Sequence, residues 1–281
     1  MTQPASPSES ITLIRPSSGW SALNLRDLWT YRELVFFLTW RDIKVRYKQA
    51  ALGIAWAVLQ PLFTMIVFSV ILGNWLGVPT ENDIPYPVFS FVALLPWQLF
   101  ANTLQRSGTS LVSSANLLTK IYFPRLVIPI AAVGAGLVDF FISFLVLIGL
   151  MLFYRLPFTL NMLWLPLLVL LALLTALSIG LWLSALNVQY RDVQQMIPFI
   201  IQAWFYISPV VYSPGVIPSE TLRLVYALNP MAGVIQGFRW ALLDTTPPDA
   251  SLAVSTGVVI VLLISGLYFF KRMERVFADI V

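Results

Sequence analysis

Neither cysteine nor histidine occurs in the 281 residues. Without cysteine the chain can build no disulfide framework, thiolate zinc site or iron–sulfur cluster. Without histidine there is no imidazole base, which excludes Ser-His-Asp and Cys-His catalysis. Charge is scarce as well: Asp, Glu, Lys and Arg make up 11% of the chain, where a soluble domain carries about 25%. None of the four lysines follows a glycine, so the Gly-x-x-x-x-Gly-Lys-Ser/Thr loop that cradles nucleotide phosphates is missing. If ATP drives this protein, another polypeptide binds it.

What is present is grease. Hydrophobic residues reach 58% and the mean hydropathy is +0.82, too apolar for a surface that faces water. The net charge of +4 is no nucleic-acid signal, because the basic residues follow topology. Residues 1–20 are rich in Ser and Pro and lack the apolar core of a secretory signal. Residues 1–25 read as a disordered cytoplasmic tail.

A bilayer core of ~30 Å needs about 20 mostly apolar residues in a helix, and in lipid the backbone must satisfy itself within its own segment. Six stretches qualify: 51–73, 88–112, 127–153, 162–186, 195–213 and 251–270. The second is the weakest, since its latter half from Ala101 to Asn116 is polar and contains Arg106; the alternative is a shorter span ending near Ala101. With the N-terminus inside, fourteen Lys and Arg lie on the inner side, and three, Arg155, Arg223 and Arg239, on the outer. That asymmetry puts both termini in the cytoplasm. The expected fold is an all-α integral membrane protein, with residues 51–281 as a six-helix transmembrane domain.

Three segments are neither spans nor simple loops. Within 26–50, Phe36, Trp40, Ile43 and Tyr47 recur at helical spacing between Thr30 and Gln49, with Arg41, Lys44 and Lys48 on one flank and Asp42 and Arg46 on the other. This is an amphipathic interface helix on the inner leaflet, either an anchor or a collar at a channel mouth. The cytoplasmic stretch Asn116–Arg125 carries Leu117, Leu118, Ile121, Tyr122 and Phe123 beside Lys120. It is too apolar for a free loop, so it is a docking surface or folds back on the membrane interface. Outside, 214–249 holds two helical runs, 219–228 and 231–243, around Asn229-Pro230. Each is ~10–14 residues, the length of a re-entrant or interfacial segment.

Few residues suggest chemistry. Asp139 sits in the middle of the third span, where a carboxylate is expensive and faces a partner or a wet cavity. It is an ion-coupling site or a structural hydrogen-bond acceptor. Arg106 and Arg155 stand near span ends, where they can snorkel. Arg239 is placed to touch a polar substrate outside, or to pair with Glu220 or Asp244. In the fifth span Phe199, Trp204, Phe205 and Tyr206 crowd together with Gln195 and Gln202. Aromatic faces pack on sugar rings and amides bond hydroxyls, so this is a sugar-conducting wall or an ordinary packing face.

Several blocks, taken in order, resemble a known family. They are Arg32-Glu33-Leu34, Trp40 to Lys48, Leu52 to Trp56, Leu94-Leu95-Pro96-Trp97, Ser113 to Arg125, Leu186 to Val193, Asn229-Pro230-Met231 with Gly237-Phe238-Arg239, and Arg272 to Asp279. Together they are similar to the permease subunit of bacterial ABC polysaccharide exporters, nearest the O-antigen branch, over 28–281. Capsule and teichoic-acid permeases are the rivals within that class. An ion-coupled secondary transporter using Asp139 and a membrane-embedded glycosyltransferase are the readings outside it. The resemblance implies no enzyme and no cofactor on this chain. ATP and Mg would sit on a separate nucleotide-binding subunit, two copies of which join a homodimer of this chain in the bacterial inner membrane. It also implies roles. Asn116, Leu117, Lys120, Ile121, Tyr122, Phe123 and Arg125 would form a coupling helix docked on the ATPase. The helix with Phe36, Trp40, Arg41, Ile43 and Tyr47 would lie near it. Trp56, Phe63, Phe199, Gln202 and Tyr206 would line the polysaccharide channel. Asn229, Pro230 and Arg239 would belong to a periplasmic gate.

Overall fold

The computed structural model describes residues 29–48, 53–121, 123–212, 225–248, 250–274 and 277. Among them the chain is helical and contains no strand. Helix α1 (Arg32–Lys48) precedes α2 (Gly53–Phe68), which continues as a π-helical stretch, Ser69–Trp75. Then come α3 (Tyr86–Ser113), the single turn α4 (Ala115–Leu118), α5 (Val127–Phe153) and α6 (Leu165–Gln189). The order closes with α7 (Val193–Ile207), α8 (Pro230–Leu243) and α9 (Ala250–Met273).

Five helices are long and apolar enough to cross a membrane: Ala55–Trp75, Tyr86–Ser113, Val127–Phe153, Leu160–Gln189 and Ala250–Met273. The sequence-predicted spans 127–153 and 251–270 coincide closely with α5 and α9. The fifth predicted span, 195–213, does not reach full length. Helix α7 has 15 residues, about 22 Å at 1.5 Å per residue, short of a ~30 Å hydrocarbon core. Its end has a local cause. Ser208 precedes Pro209, whose ring disfavours helical backbone at the residue before it, and Ser208 is extended at φ −94°, ψ 149°.

Helix α3 is the axis of the bundle: 78% of its most apolar window is buried, against 17% for α2 and for α9. Its polar latter half stays helical to Ser113. Thr103, Ser107 and Ser110 are buried there, on a face opposed by small residues. A Cβ at Gly136 of α5 would stand 2.5 Å from the Thr103 hydroxyl, and one at Gly180 of α6 would stand 2.4 Å from that of Ser107. Close approach at small residues supplies the packing that the hydrophobic effect does not supply between helices in lipid.

Prolines inside the spans leave carbonyls to be satisfied elsewhere. Pro61 of α2 removes the amide that would bond Ala57 O, and the Ser143 hydroxyl of α5 donates to that oxygen at 2.9 Å. The lesion in one helix thus becomes a tie to another. Helix α8 is buried at twelve of its fourteen residues and packs on α3, α6 and α9. The first predicted run of the outer hairpin, with Ser219 and Glu220, lies largely outside the described residues.

Helix α9 leans on α6 where Gly266 meets the Ser178 carbonyl. A Cβ there would fall 2.6 Å from that backbone oxygen, an atom that cannot swing aside. Gly266→Ala is expected to destabilise the folded chain by about 1–3 kcal/mol through overpacking. Gly257→Ala on the same helix, with nothing within 4 Å, is expected to be neutral or mildly stabilising. Thermal unfolding of both variants in detergent distinguishes them.

Candidate functional site

The carboxylate of Asp139 is not isolated. Arg46 of α1 and Arg106 of α3 both donate to Oδ2, the second at 2.9 Å, and the Tyr47 hydroxyl donates to Oδ1. Asp139 is buried while both guanidiniums keep partial access to solvent. Burial and the bond to Asp139 push the Tyr47 pKa upward, which keeps its hydroxyl a donor. This revises the reading of Arg106 as a snorkelling anchor and gives Asp139 two cationic partners and a tyrosine. A cleft beside the cluster is lined by Arg46, Gln60, Gln98, Asn102 and Asp139, among others.

These bonds fix how α1 lies. The Thr39 hydroxyl donates to Ala131 O at 3.1 Å, Gly134 abuts Thr39, and seven residues further on Arg46 reaches Asp139. Helix α1 therefore runs alongside the first half of α5 in the same direction. Leu38 is its buried residue. Of the predicted stripe, Phe36 and Trp40 stay exposed, while Ile43 and Tyr47 are half-buried. Arg41 is exposed and pairs with Asp42 at 2.9 Å.

The predicted docking segment divides. Asn116, Lys120 and Ile121 are exposed, Ile121 at 58%, and Leu117 is half-buried. Phe123 is not available: it is 6% exposed and sits in a core cluster with Leu38, Leu111, Leu126 and Phe270. Arg125 is drawn inward. Its guanidinium donates to Glu274 O and stands 5.7 Å from the Phe277 ring, and its amide donates to the Glu274 carboxylate. Lys271 pairs with that carboxylate at 2.6 Å. The C-terminal end of α9 is thereby stitched beneath the turn that follows α4. Tyr122 lies outside the described residues.

On the far side, Arg239 is 2% exposed. Its NH1 and NH2 groups donate to Tyr212 O and Val210 O, each at 2.9 Å, and its guanidinium lies 3.8 Å from the centroid of Phe89. It clamps the turn after α7 and has no face for a substrate. Nor does it pair with Asp244, whose carboxylate accepts from Asn161 at 3.1 Å. Asn229 caps α8, its Oδ1 accepting from Met231 N at 3.0 Å and from the Trp204 indole at 2.9 Å. Pro230 follows at the first helical position, where its missing N–H costs nothing.

The aromatics of α7 also divide. Trp204 and Phe205 turn inward onto Phe100 and Trp97 of α3, with ring centroids 5.2 and 5.4 Å apart. Phe199, Gln202 and Tyr206 face outward, Phe199 at 73% exposure. On α2, Trp56, Gln60 and Phe63 are exposed along one helical face. Stacking of Phe68 on Phe205 at 5.9 Å joins α2 to α7.

The model of the ABC-2 type transporter family matches residues 33–243. The chain belongs to that family. The match takes in α1 through the last residue of α8 and leaves α9 with its Glu274 clamp outside. Within the family, the chain is 31% identical over 258 residues to the O-antigen export system permease protein RfbA of Myxococcus xanthus, covering 91% of this chain and 98% of that one. It is 28% identical to the protein of the same name from Klebsiella pneumoniae, with 88% and 95% covered. It is also 28% identical to the polysialic acid transport protein KpsM of Escherichia coli, with 84% and 91% covered.

In this ABC-2 chain the Asp139 cluster ties three helices together. Asp139→Asn removes the charge that holds two guanidiniums. Breaking a fully buried pair costs ~3–5 kcal/mol; with both arginines partly solvated, about 2–3 kcal/mol is expected, read as a lowered unfolding midpoint. Adding Arg46→Leu to that variant is expected to recover part of the loss by removing one stranded cation.

Proposed function

We propose that this chain is the channel-forming permease subunit of an ATP-driven exporter of lipid-linked polysaccharide, O-antigen above all, in the bacterial cytoplasmic membrane. The relatives named as O-antigen export permeases match nearly end to end. The observation in the fold that carries the reading is the outward aromatic and amide face shared by α2 and α7, made of Trp56, Phe63, Phe199, Gln202 and Tyr206. Such a face suits sugar rings and hydroxyls. Two copies related by a two-fold axis, set face to face, would enclose a channel walled by it. Capsular polysaccharide is the second substrate class, supported by the similarity to a polysialic acid transport protein.

In this reading α7 is also a crossing, the fifth of six in chain order, shortened at Ser208 and completed by the turn that Arg239 holds. Both termini are cytoplasmic, and α8 dips into the outer leaflet as part of a gate. Energy comes from two copies of a separate ATPase that carry ATP and Mg. Their closure pushes on α4 and the turn after it, through Asn116, Lys120 and Ile121. Helix α1, pinned to α3 and α5 at Asp139, moves with the bundle. The α2–α7 faces of the two copies part, and the glycan passes outward. The chain makes and breaks no covalent bond.

Ile121→Asp places a charge on an exposed apolar contact, so it is expected to abolish export and co-purification with the ATPase while membrane insertion and unfolding temperature stay unchanged. Unaltered co-purification and export in that variant would remove the docking role. Phe123→Asp buries a carboxylate in the core and is expected to lower the yield of folded protein instead.

A further inference from the structure

Two guanidiniums and one carboxylate leave a positive charge over at the Asp139 cluster. Arg46 and Arg106 converge on the same oxygen, and Tyr47 takes the other. Among the described residues no second acid lines the adjoining cleft. An uncompensated cation among apolar helices is expensive. Each guanidinium carries five N–H donors, and only one from each is engaged with Asp139. Three more donors stand around the same space. The side-chain amides of Gln60, Gln98 and Asn102 line the cleft and make no hydrogen bond among the described residues. Gln60 is exposed and stands at its mouth.

The chemistry of this space is narrow. A cation is repelled by the surplus charge. A neutral sugar would satisfy the amides and leave the charge unanswered. A tetrahedral anion with several acceptor oxygens meets both demands, and guanidinium forks match it geometrically. Basic pockets between membrane helices on the cytoplasmic side are suited to lipid headgroups. Arg46 belongs to the helix read as cytoplasmic, and Arg106 lies in the cytoplasmic half of α3.

We propose that the cleft between α2, α3 and α5, lined by Arg46, Gln60, Gln98 and Asn102, binds a phosphate-bearing lipid headgroup. Arg106 reaches it through the shared Asp139 oxygen. Two sources carry that chemistry: the phosphodiester of a bilayer phospholipid and the diphosphate of a polyprenyl carrier. The carrier arm rests on the export reading above; the phospholipid arm does not.

Native mass spectrometry of the delipidated full chain tests it, with dioleoyl phosphatidylglycerol, a polyprenyl diphosphate and, as the phosphate-free control, dioleoylglycerol as separate probes. Gln98→Leu with Asn102→Leu removes two donors and leaves the Arg–Asp pairs in place. Gln60→Leu alters only the exposed mouth and guards against a folding artefact. The wild type is expected to hold at least one phosphate lipid well above dioleoylglycerol. The double variant is expected to bind that lipid roughly tenfold more weakly, as loss of hydrogen bonds to a charged group implies, with a smaller fall for Gln60→Leu. A fall confined to the diphosphate identifies the carrier, one confined to phosphatidylglycerol the bilayer lipid, and a fall for both a shared phosphate site. Equal binding of all three probes, or of both phosphate lipids by wild type and variants, would overturn the site. Because no ATPase is present in the measurement, that result would leave the export reading standing.

Discussion

A carboxylate halfway along a bilayer-length helix has to be answered by a cation, and at Asp139 the answer arrives from two directions. Arg106 comes from the neighbouring span and Arg46 from the helix that precedes the first span. The second partner matters more for the architecture. Helix α1 is otherwise held by an apolar contact, with Leu38 in a core cluster and Leu34 and Val35 packed on it, and by one side-chain bond from Thr39 to Ala131 O. Its outer face carries Phe36, Phe37 and Trp40 in the open, suited to lipid. Without the Asp139 pairs, that apolar contact alone would keep an amphipathic helix of this kind from lying free on a membrane surface. With them it becomes part of the wall that any push from the cytoplasm must move.

The rest of the bundle is built to transmit such a push rather than absorb it. Interhelical contacts fall at glycines, with Gly136 on Thr103, Gly180 on Ser107, Gly233 on Ser255 and Gly237 on Leu168. Backbones in near contact have little slack. The two cationic clamps close opposite ends: Arg125 with Glu274 on one side, and Arg239 with the carbonyls of Val210 and Tyr212 on the other. What remains open is the outward face of α2 and α7, where Trp56, Gln60, Phe63, Phe199, Gln202 and Tyr206 are exposed. A second copy and a passing glycan would cover that face.

Much of this architecture is legible in the sequence because bilayer thickness writes itself into apolar run length. Span 127–153 reads off directly, and so do the apolar stretch of α9 and the helical run that follows Asn229-Pro230. The misreadings share one cause, which is that periodicity reports only local neighbours. Arg239 looks like a free cation because it is charged and lies in an outer segment; the Phe89 ring beneath it is 150 positions away. Phe123 looks like a docking residue because it is apolar in a loop, yet the same property suits a core that only the fold assembles. Arg46 was legible only as a flank of the amphipathic helix, since its partner lies 93 residues on. One signal did point the right way: a lone mid-span Asp requires a cation, and Arg106 is the basic residue that the second span supplies. The end of α7 at Ser208 had a local signal as well, the proline that follows it, which the reading of 195–213 as one span passed over.

The central claim is that α1 and α5 form one rigid body during transport. It can be tested at the point where they touch. A Cβ placed on Gly134 lies 3.7 Å from that of Thr39, within the ~3.5–4.5 Å that a disulfide spans, and the native chain has no cysteine to interfere. The measurement is polysaccharide export by cells carrying Thr39→Cys with Gly134→Cys, before and after oxidation. The expected result is ready cross-linking with export retained. A pair that fails to cross-link, or export that stops on oxidation and returns on reduction, would contradict the account.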